Sequence, residues 1–436
     1  MKSRRPKVLH ELCGLTMLDH VLTALRDSGL TEVTAVVSPA LESAALARGL
    51  RAVIQEPQCG TGHAVTLAMA ALGDLSDAVL ILSADMPLVS SEMLGRVIQT
   101  QRGDAADLAL VTARVPLPSN FGRIVRAEGK IVRIVEAADA SAQDRTGDEV
   151  NAAVYCFDPG ALRRELQRLR PDNAQGELYL TDCIAGIFAR GGRISTVLWP
   201  DHRDIMGINT RVELASARQE MQRRILDTHM LAGVTIVDPS STYIDAAVRI
   251  EADVTICPQT HLRGRTHIGQ GSSVGPGTTL VDSTLGQDVT VCYSLIADSR
   301  LGNGCSVGPF AHLRGGTVVE DRAHVGNFVE LKKTRMGSGA KAGHLAYLGD
   351  ATLGARVNVG AGTITCNYDG RKKHATTIGD DAFIGSNSSL VAPLRIGKKA
   401  LTGAGAVVIR DVADGERVVG NPARPLAKKT RQTEIT

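Results

Sequence analysis

A polar stretch in the second half of the chain contains the side-chain types that acyl transfer needs. His344 lies in the segment 341–349. An imidazole with an ordinary pKa near roughly 6.5 can take a proton from an attacking amine at neutral pH. Arg314 and Lys332 supply the positive charge that a substrate phosphate requires. A lone histidine in a repeat protein is more often a surface residue, but the segments 327–333 and 341–349 are unusually polar for repeat corners.

A second candidate site lies in the first half of the chain. Asp85 follows the aliphatic run 78–82. Ligand sites of α/β proteins open at the carboxyl ends of the strands, and a carboxylate there can hold Mg²⁺. Taken alone, a carboxylate before Pro87 is more often a solvated turn residue, so Asp85 needs support from the residues around it.

The polar stretch of the second half lies within a period-six repeat. Aliphatic residues recur at every sixth position in three runs: Ile244, Ile250, Ile256, Leu262, Ile268, Val274 and Leu280; Leu295, Leu301, Val307, Leu313, Val319, Val325 and Leu331; Ile378, Ile384, Leu390 and Ile396. This period predicts a triangular coil in which each run points inward. We therefore expect a left-handed parallel β-helix from about Ile244 to Val419. The segment 367–373 breaks the period and is predicted to be a loop.

The first half has a different pattern. Short aliphatic runs at 33–37, 78–82 and 108–111 alternate with helical spacing at 17–28 and 64–72. This alternation predicts a Rossmann-like α/β domain with a mostly parallel sheet. The segment 210–230 has apolar residues at helical spacing among many charges, which indicates a linker helix. The predicted division is 1–209, a linker at 210–232, and 233–436.

Composition excludes several classes of protein. With 436 residues, a net charge of +3 and no basic tract, the chain does not have the pattern of a nucleic-acid-binding protein. No apolar run is long enough to span a membrane. The 8 cysteines form no C-x-x-C pair, which argues against zinc and redox motifs. We expect a cytoplasmic protein.

Several motifs of the first half occur in the order and spacing of a known enzyme family. They lie at 6–9, 55–64, 85–88, 121–124, 134–136, 149–151, 176–182 and 207–209. With them the chain resembles the sugar-nucleotide pyrophosphorylases. Over its whole length it resembles more closely the bifunctional N-acetylglucosamine-1-phosphate uridyltransferase / glucosamine-1-phosphate acetyltransferase family, in the same domain order.

This resemblance implies the chemistry and its residues. Glucosamine 1-phosphate would be acetylated by acetyl-CoA, and UTP would then give UDP-N-acetylglucosamine, a precursor of peptidoglycan and lipopolysaccharide. For acetyl transfer, it implies His344 as general base, a sugar-phosphate site of Arg314, Lys332, Tyr347, Asn358 and Lys373, and a coenzyme A groove of Ala361, Asn367, Tyr368, Ser386 and Ala404. For uridylyl transfer, it implies Mg²⁺ on Asp85 and Asn209, phosphate on Lys7, uracil at Gln55, Gly60 and Thr61, and sugar at Gly122, Glu136 and Asn151, with Asn209 also at the nucleotide. Proteins of this kind commonly form homotrimers.

The chain departs from the family in four places, one of which is Ser38-Pro39, where the family has Gly-His. The family opens with a strand and a glycine-rich phosphate-binding loop that would precede Met1. We therefore expect Met1 to be an internal methionine of a longer protein, and severely weakened uridylyl transfer from the chain as written. The usual Tyr-Gly before the metal aspartate is Ser83-Ala84. The tail 420–425 resembles that of general hexapeptide acetyltransferases, and Arg424 is our candidate for the arginine that binds coenzyme A.

Three other functions remain open at this point. An enzyme with acetyltransferase activity alone would have lost uridylyl transfer with the glycine-rich loop. A zinc-dependent β-helix hydratase would need three histidines, but His312, His324 and His344 lack the required spacing. A non-enzymatic scaffold would not need His344, Lys332 and Arg314 in one block.

Overall fold

The computed structural model describes residues 1–75 and 77–426, and the chain divides into two compact units. The first is Met1–Met221, and the second begins at Gln222. The helix Arg211–Leu231 contains this boundary, in the segment where the sequence indicates a linker helix. The three-part division at 209 and 232 stays a prediction. Within the described residues, none of the helices has the length and apolar character that crossing a membrane requires.

The first unit is built from α-helices, 3₁₀ turns and short strands. Its α-helices are Met17–Asp27, Glu42–Leu46, Thr61–Leu72, Ser91–Gly103, Pro159–Leu166 and Asp182–Ala189, followed by Arg211–Leu231 at the boundary. Its 3₁₀ turns are Lys7–Leu9, Pro39–Leu41, Asp144–Thr146 and His202–Ile205. Its strands are Glu11–Leu12, Leu15–Thr16, Thr34–Val37, Arg51–Ile54, Val79–Leu82, Leu108–Arg114, Arg123–Ala127, Lys130–Val135, Glu149–Phe157 and Ile194–Trp199.

The sheet of the first unit is mixed, where the sequence predicted a mostly parallel one. Glu149–Phe157 lies between Val79–Leu82 and Leu108–Arg114 and runs antiparallel to both. Ile194–Trp199 pairs parallel with Leu108–Arg114, and Thr34–Val37 forms a separate parallel pair. The prediction was wrong because strands buried on both faces read as continuous apolar runs, which do not encode strand direction.

Local sequence explains where the helices of this unit begin. Thr16 and Asp19 form a reciprocal capping box at the first helix. The Ser90 hydroxyl accepts a hydrogen bond from the amide of Met93. Such caps satisfy backbone amides that have no partner within the helix, so each one fixes a helix start relative to the strand before it.

The second unit is a β-helix with three faces, each a sheet of stacked short strands, and the 3₁₀ turn Pro239–Ser241 follows its first strand. The His324 face comprises Thr235–Ile236, Thr255–Ile256, Ser273–Val274, Thr290–Val291, Ser306–Val307, His324–Asn327, Lys341–His344, Asn358–Val359, Phe383–Ile384, Leu401–Thr402, Arg417–Val419 and Arg424–Pro425. The Glu330 face comprises Tyr243–Ile244, His261–Arg263, Thr279–Val281, Leu295–Ala297, His312–Arg314, Glu330–Lys332, Tyr347–Gly349, Ile364–Cys366, Ser389–Val391 and Val407–Val408. The Arg335 face comprises Arg249–Ile250, His267–Ile268, Thr284–Leu285, Ser299–Leu301, Thr317–Val319, Arg335–Met336, Ala351–Leu353, Thr376–Ile378 and Leu394–Ile396.

Neighbouring coils pair in parallel register, so the inward residues form continuous aliphatic rows. Leu313 pairs with Leu331, and Leu331 pairs with Leu348; all three are fully buried. The predicted inward rows are confirmed with one correction. Leu295 points outward and is 41% exposed, whereas its neighbour Ile296 is fully buried and pairs with Leu280. The coil at this point is shorter than three hexads, which moves the inward position by one residue.

The segment 367–373 forms the predicted loop. Most register partners of the β-helix are 16 to 18 positions apart, but Leu353 pairs with Ile378, 25 positions later. Tyr368 and Lys373 form an antiparallel bridge across the loop. The sheets continue in register on either side, so the extra residues leave the coil at one corner without disturbing the rows.

We predict that substitutions of Ile296, which points inward, and of its neighbour Leu295, which points outward, will differ in their effect on stability. Ile296→Ala should destabilise the β-helix by about 2–5 kcal/mol, because it removes buried apolar volume from a row that cannot collapse. Leu295→Ala, next to it on the outer surface, should cost less than about 1 kcal/mol. The measurement is the urea unfolding of both variants beside the parent chain. Equal destabilisation by the two substitutions would contradict the register.

Candidate active sites

A lysine, an aspartate and an asparagine converge at the carboxyl end of the strand Val79–Leu82. The Lys7 ammonium donates to Asp85 Oδ2 at 2.5 Å and to Asn209 Oδ1 at 2.8 Å. The amide of Ile208 donates to the carbonyl of Asp85 at 3.0 Å, which brings the Asn209 segment alongside. These three side chains come from segments far apart in sequence, and all three were named from the sequence.

This arrangement can bind a cation. Two oxygen atoms already face a single positive charge, the ammonium of Lys7, and carboxylate and amide oxygens are hard ligands of the kind Mg²⁺ takes. Mg²⁺ usually completes its shell with water and substrate phosphates rather than with protein groups. The pair Asp85 and Asn209 therefore fits a magnesium ion that is shared with a phosphorylated substrate.

A cavity of about 240 Å³ lies at the start of the helix Thr61–Leu72, and Gln55, Gly60 and Thr61 line it together with Glu177. Gly60 has φ +97°, and a Cβ there would lie 2.6 Å from the carbonyl oxygen of Leu178. The Gln55 amide donates to the Gly60 carbonyl at 2.9 Å. Three residues predicted to read a base therefore line one cavity, whose wall requires glycine.

Gly122, Glu136 and Asn151 also come together. The amide of Asn151 donates to the carbonyl of Gly122 at 2.9 Å, and Glu136 Oε2 lies 3.3 Å from the Cβ position of Gly122. Burial raises the pKa of Glu136, even though the Thr181 hydroxyl donates to Oε1 at 3.0 Å. The Asn151 side chain is buried and bonded to the hydroxyl of Tyr155 at 2.6 Å, so it is already held by the protein.

His344 lies in the second unit, at the corner between the His324 and Glu330 faces. It ends the strand Lys341–His344 and is exposed, and its register partner in the coil before it is Asn327. His344 Nδ1 and Asn327 Oδ1 form a short hydrogen bond. The strand pairing and this bond together fix the imidazole at the edge of the face, with its other nitrogen free for a substrate.

Three cationic side chains come together where strands of the Glu330 face end, two from these strands and one from the loop 367–373. Arg314 and Lys332 are register partners on adjacent strands. The close approach of the Lys373 amino group lowers the pKa of Lys332, and the Asp350 carboxylate opposes that effect. Arg314 is also paired with Glu330 at 2.9 Å. Two lysines that meet in this way indicate a site for an anion, because a bound anion would relieve their repulsion.

The loop 367–373 closes over the same face. The Tyr347 hydroxyl and the Asn367 amide nitrogen lie 2.5 and 2.6 Å from the Cβ position of Gly349. Asn367 is buried and donates to Asp350 Oδ2 at 2.6 Å, whereas Tyr368 is exposed. Asn367 therefore anchors the loop, and Lys373 is carried to Lys332.

The corner that carries His344 has small side chains in the coils that follow. Ala361, Ser386 and Ala404 occupy it in successive coils, each followed by a residue of positive φ: Gly362 at +76°, Asn387 at +57° and Gly405 at +70°. Small residues at a corner leave room for an extended ligand along the β-helix. Asn358 lies on the His324 face in register with Lys341. Arg424 is exposed, on the antiparallel strand that ends the described β-helix.

Residues that sequence reasoning missed complete both sites. Asp350 faces Lys332 and holds Asn367, Thr181 holds Glu136, and Asn327 holds His344. Counting coil lengths could have found Asn327, since it lies 17 positions before His344, one coil earlier. Thr181 lies within the motif 176–182, but no pattern links it to Glu136, 45 positions away in an aperiodic domain.

Comparisons with known proteins match both units. A model of the MobA-like NTP transferase domain matches residues 1–180, and one of the bacterial transferase hexapeptide (six repeats) matches 298–333. A "Bifunctional protein GlmU" of Heliobacterium modesticaldum is 45% identical, covering 96% of this chain and 92% of that protein. The proteins of the same name from Trichlorobacter lovleyi and Synechococcus sp. are 44% and 41% identical, covering 94% and 98% of this chain and 91% and 95% of those proteins. These findings confirm the predicted fold class.

We predict that Glu136 lowers the stability of the first unit at neutral pH. Its folded pKa is raised above the ordinary 4.5, so the folded state favours the protonated form and loses stability as pH rises through this window. Glu136→Gln should therefore raise the thermal unfolding midpoint at pH 7.5, and the gain should shrink as pH falls toward 4.5.

Glu149 provides a control of opposite sign. Its ion pair with Arg126, at 2.7 Å, lowers the pKa of Glu149 and stabilises the fold at neutral pH. Glu149→Gln should lower the midpoint at pH 7.5. If both variants changed the midpoint in the same direction, the account of Glu136 would be wrong.

Proposed function

We propose that this chain, which belongs to the GlmU family of bifunctional proteins, is an enzyme that acetylates glucosamine 1-phosphate with acetyl-CoA and then transfers a uridylyl group from UTP to the product. The family expected from the sequence is confirmed, and the relatives match over both units. The observation that carries the proposal is the pair of separate polar sites, one in each unit. This favours the bifunctional enzyme over one with acetyltransferase activity alone.

In the acetyl-transfer half, His344 acts as general base. The amine nitrogen of glucosamine 1-phosphate attacks the thioester carbonyl carbon, and the new C–N bond forms as the C–S bond breaks. The amine proton passes to the second ring nitrogen of His344. Coenzyme A leaves as its thiolate and takes this proton from the imidazolium, which restores the neutral base. The exposed position of His344 at a corner of the β-helix gives both substrates access.

The cationic cluster supports the choice of a phosphorylated sugar. Arg314, Lys332 and Lys373 bind the phosphate, which replaces the repulsion between the two lysines by charge-assisted hydrogen bonds. Tyr347 and Asn358 hold the sugar ring. The corner of Ala361, Ser386 and Ala404 takes the pantetheine arm of acetyl-CoA, with Asn367 and Tyr368 at one side and Arg424 toward the end.

In the uridylyl-transfer half, each group of the first unit has one task. When bound to Asp85 and Asn209, Mg²⁺ offsets the charge of the triphosphate. Lys7, which contacts both ligands, is then free to meet phosphate. Gln55, Gly60 and Thr61 bind the uracil in their cavity. Gly122, Glu136 and Asn151 hold the acetylated sugar, whose 1-phosphate oxygen attacks the α-phosphorus as pyrophosphate leaves.

The enzyme is proposed to be a homotrimer that assembles along an apolar ridge of the β-helix. The ridge consists of Tyr293, Phe310, Phe328 and Leu345, which occupy one corner in successive coils and are 46–60% exposed. All four have positive φ, which costs a non-glycine residue about 1 kcal/mol or more. Large apolar side chains held in this way in water favour a partner surface, and the ridge leads directly to His344.

The proposal places the enzyme in the cytoplasm. All 8 cysteines lie within the described residues and none of them forms a disulfide, as expected of a protein in a reducing compartment. The zinc-dependent hydratase gains no support, because within the described residues no three metal-binding side chains are grouped.

Two substitutions should separate the half-reactions. His344→Ala should reduce acetyl transfer by about 100-fold or more, because it removes the general base, and leave uridylyl transfer unchanged. Asp85→Asn should reduce Mg²⁺-dependent uridylyl transfer by about 100-fold or more and leave acetyl transfer unchanged, so each variant is the control for the other. Unchanged acetyl transfer in His344→Ala would favour a scaffold, and a parent chain without uridylyl transfer would favour an acetyltransferase alone.

The role of the ridge is tested by measuring how many chains associate in solution. The parent chain should have the mass of three chains in light scattering. The double variant Phe310→Ser with Phe328→Ser should give single chains that keep the circular dichroism signal of β-structure. Leu198→Ser, which alters an exposed leucine of the first unit, is the control and should remain a trimer. A monomeric parent, or a double variant that stays trimeric, would exclude the ridge as the interface.

A further inference from the structure

We propose that Asn327 is a positioning residue for acetyl transfer, which sets the tautomer of His344 by accepting a hydrogen bond from its Nδ1. The inference rests on the proposed function, in which His344 is the general base. It concerns a residue that contacts no proposed substrate group and acts through the imidazole.

Asn327 accepts two hydrogen bonds, one from the ring of His344 and one from the backbone that follows it. His344 and Asn327 are register partners at the ends of adjacent strands. The side-chain bond joins Asn327 Oδ1 to His344 Nδ1, and the carbonyl of Asn327 accepts from the amide of Leu345, the next residue, at 2.9 Å. One asparagine therefore fixes both the backbone after the histidine and the orientation of its ring.

The chemistry of the acceptor sets the tautomer. An amide oxygen carries no proton, so the hydrogen of this bond belongs to Nδ1. In a neutral imidazole, Nε2 then carries the lone pair, and this is the form that can take a proton from an amine. A ring free to exchange tautomers would spend part of its time with Nε2 protonated and unable to act as a base.

The neighbouring histidine provides a contrast within the same face. His324 Nδ1 bonds to the hydroxyl of Ser306 at 2.7 Å. A hydroxyl can donate or accept, so this contact leaves the tautomer of His324 open. His324 begins the strand that Asn327 ends and is in register with Lys341, so the two histidines lie on adjacent strands but have different partners. The amide oxygen is found at His344, the one with substrate access.

An uncharged acceptor also suits a base that must release its proton after each turnover. A carboxylate at this position would stabilise the imidazolium and hold the proton. On the His324 face, the charged or titratable groups next to His344 are His324 on the strand before it and Lys341 on its own strand, while Asn358–Val359 on the next strand adds none. Past the corner, the Glu330–Lys332 strand begins with Glu330, whose carboxylate is paired with Arg314. Burial, Lys341 and His344 lower the pKa of His324.

The test compares three variants of the full chain in acetyl transfer. Asn327→Leu keeps the size but removes the acceptor, and it should lower kcat by about 10- to 100-fold with KM for both substrates within about twofold of the parent. Asn327→Asp keeps an acceptor and adds charge. It should retain most of the plateau rate but move the acidic limb of the kcat/KM profile about one unit or more to higher pH. Ser306→Ala, the matched control at His324, should leave the rate and the profile unchanged.

The possible results distinguish a failure of the role of Asn327 from a failure of the proposed function. If His344→Ala is inactive but Asn327→Leu turns over within twofold of the parent, the positioning role is excluded while the base stands. If Asn327→Asp and Asn327→Leu lose activity together with thermal stability and the acidic limb does not move, Asn327 is a structural residue. If His344→Ala is active, the proposed base itself fails.

Discussion

Backbone hydrogen bonding between successive coils is the constraint on which the second unit depends. Each strand of the β-helix is two to four residues long and has no stability alone. Pairing in parallel register with the coils before and after it satisfies its backbone and stacks its inward residue on the row. Because the register is fixed, outward positions one coil apart are also fixed neighbours, and this places Arg314 beside Lys332 and Asn327 beside His344.

The first unit brings its site residues together in a different way. Its Lys7, Asp85 and Asn209 come from segments without a repeat, and they meet because strand ends and one backbone hydrogen bond bring them to the same edge. A site of this kind depends on tertiary packing, whereas the site on the β-helix depends on local periodicity. The two halves of the enzyme therefore owe their geometry to different ranges of interaction along the chain.

This difference explains what the sequence could predict. A period of six is a local signal, so the rows, the faces and the loop 367–373 follow from it, and Leu295 was misplaced where a coil is short. Strand direction in the first unit is not local, and the mixed sheet around Glu149–Phe157 was missed. The proposed site residues came from family motifs. Partners such as Thr181 and Asp350 required the structure, because hydrogen-bond partners far apart in sequence leave no pattern.

The loop 367–373 has a consequence for how such a molecule can change. It leaves the coil at a corner, and the inward rows align across it, from Leu353 to Ile378 and on to Ile396. Its length and composition can therefore vary with little effect on the stack, whereas a single insertion within a strand would shift every residue of that coil to the opposite face. Folding and substrate choice are thus encoded in separate residues, and selection can act on one without disturbing the other.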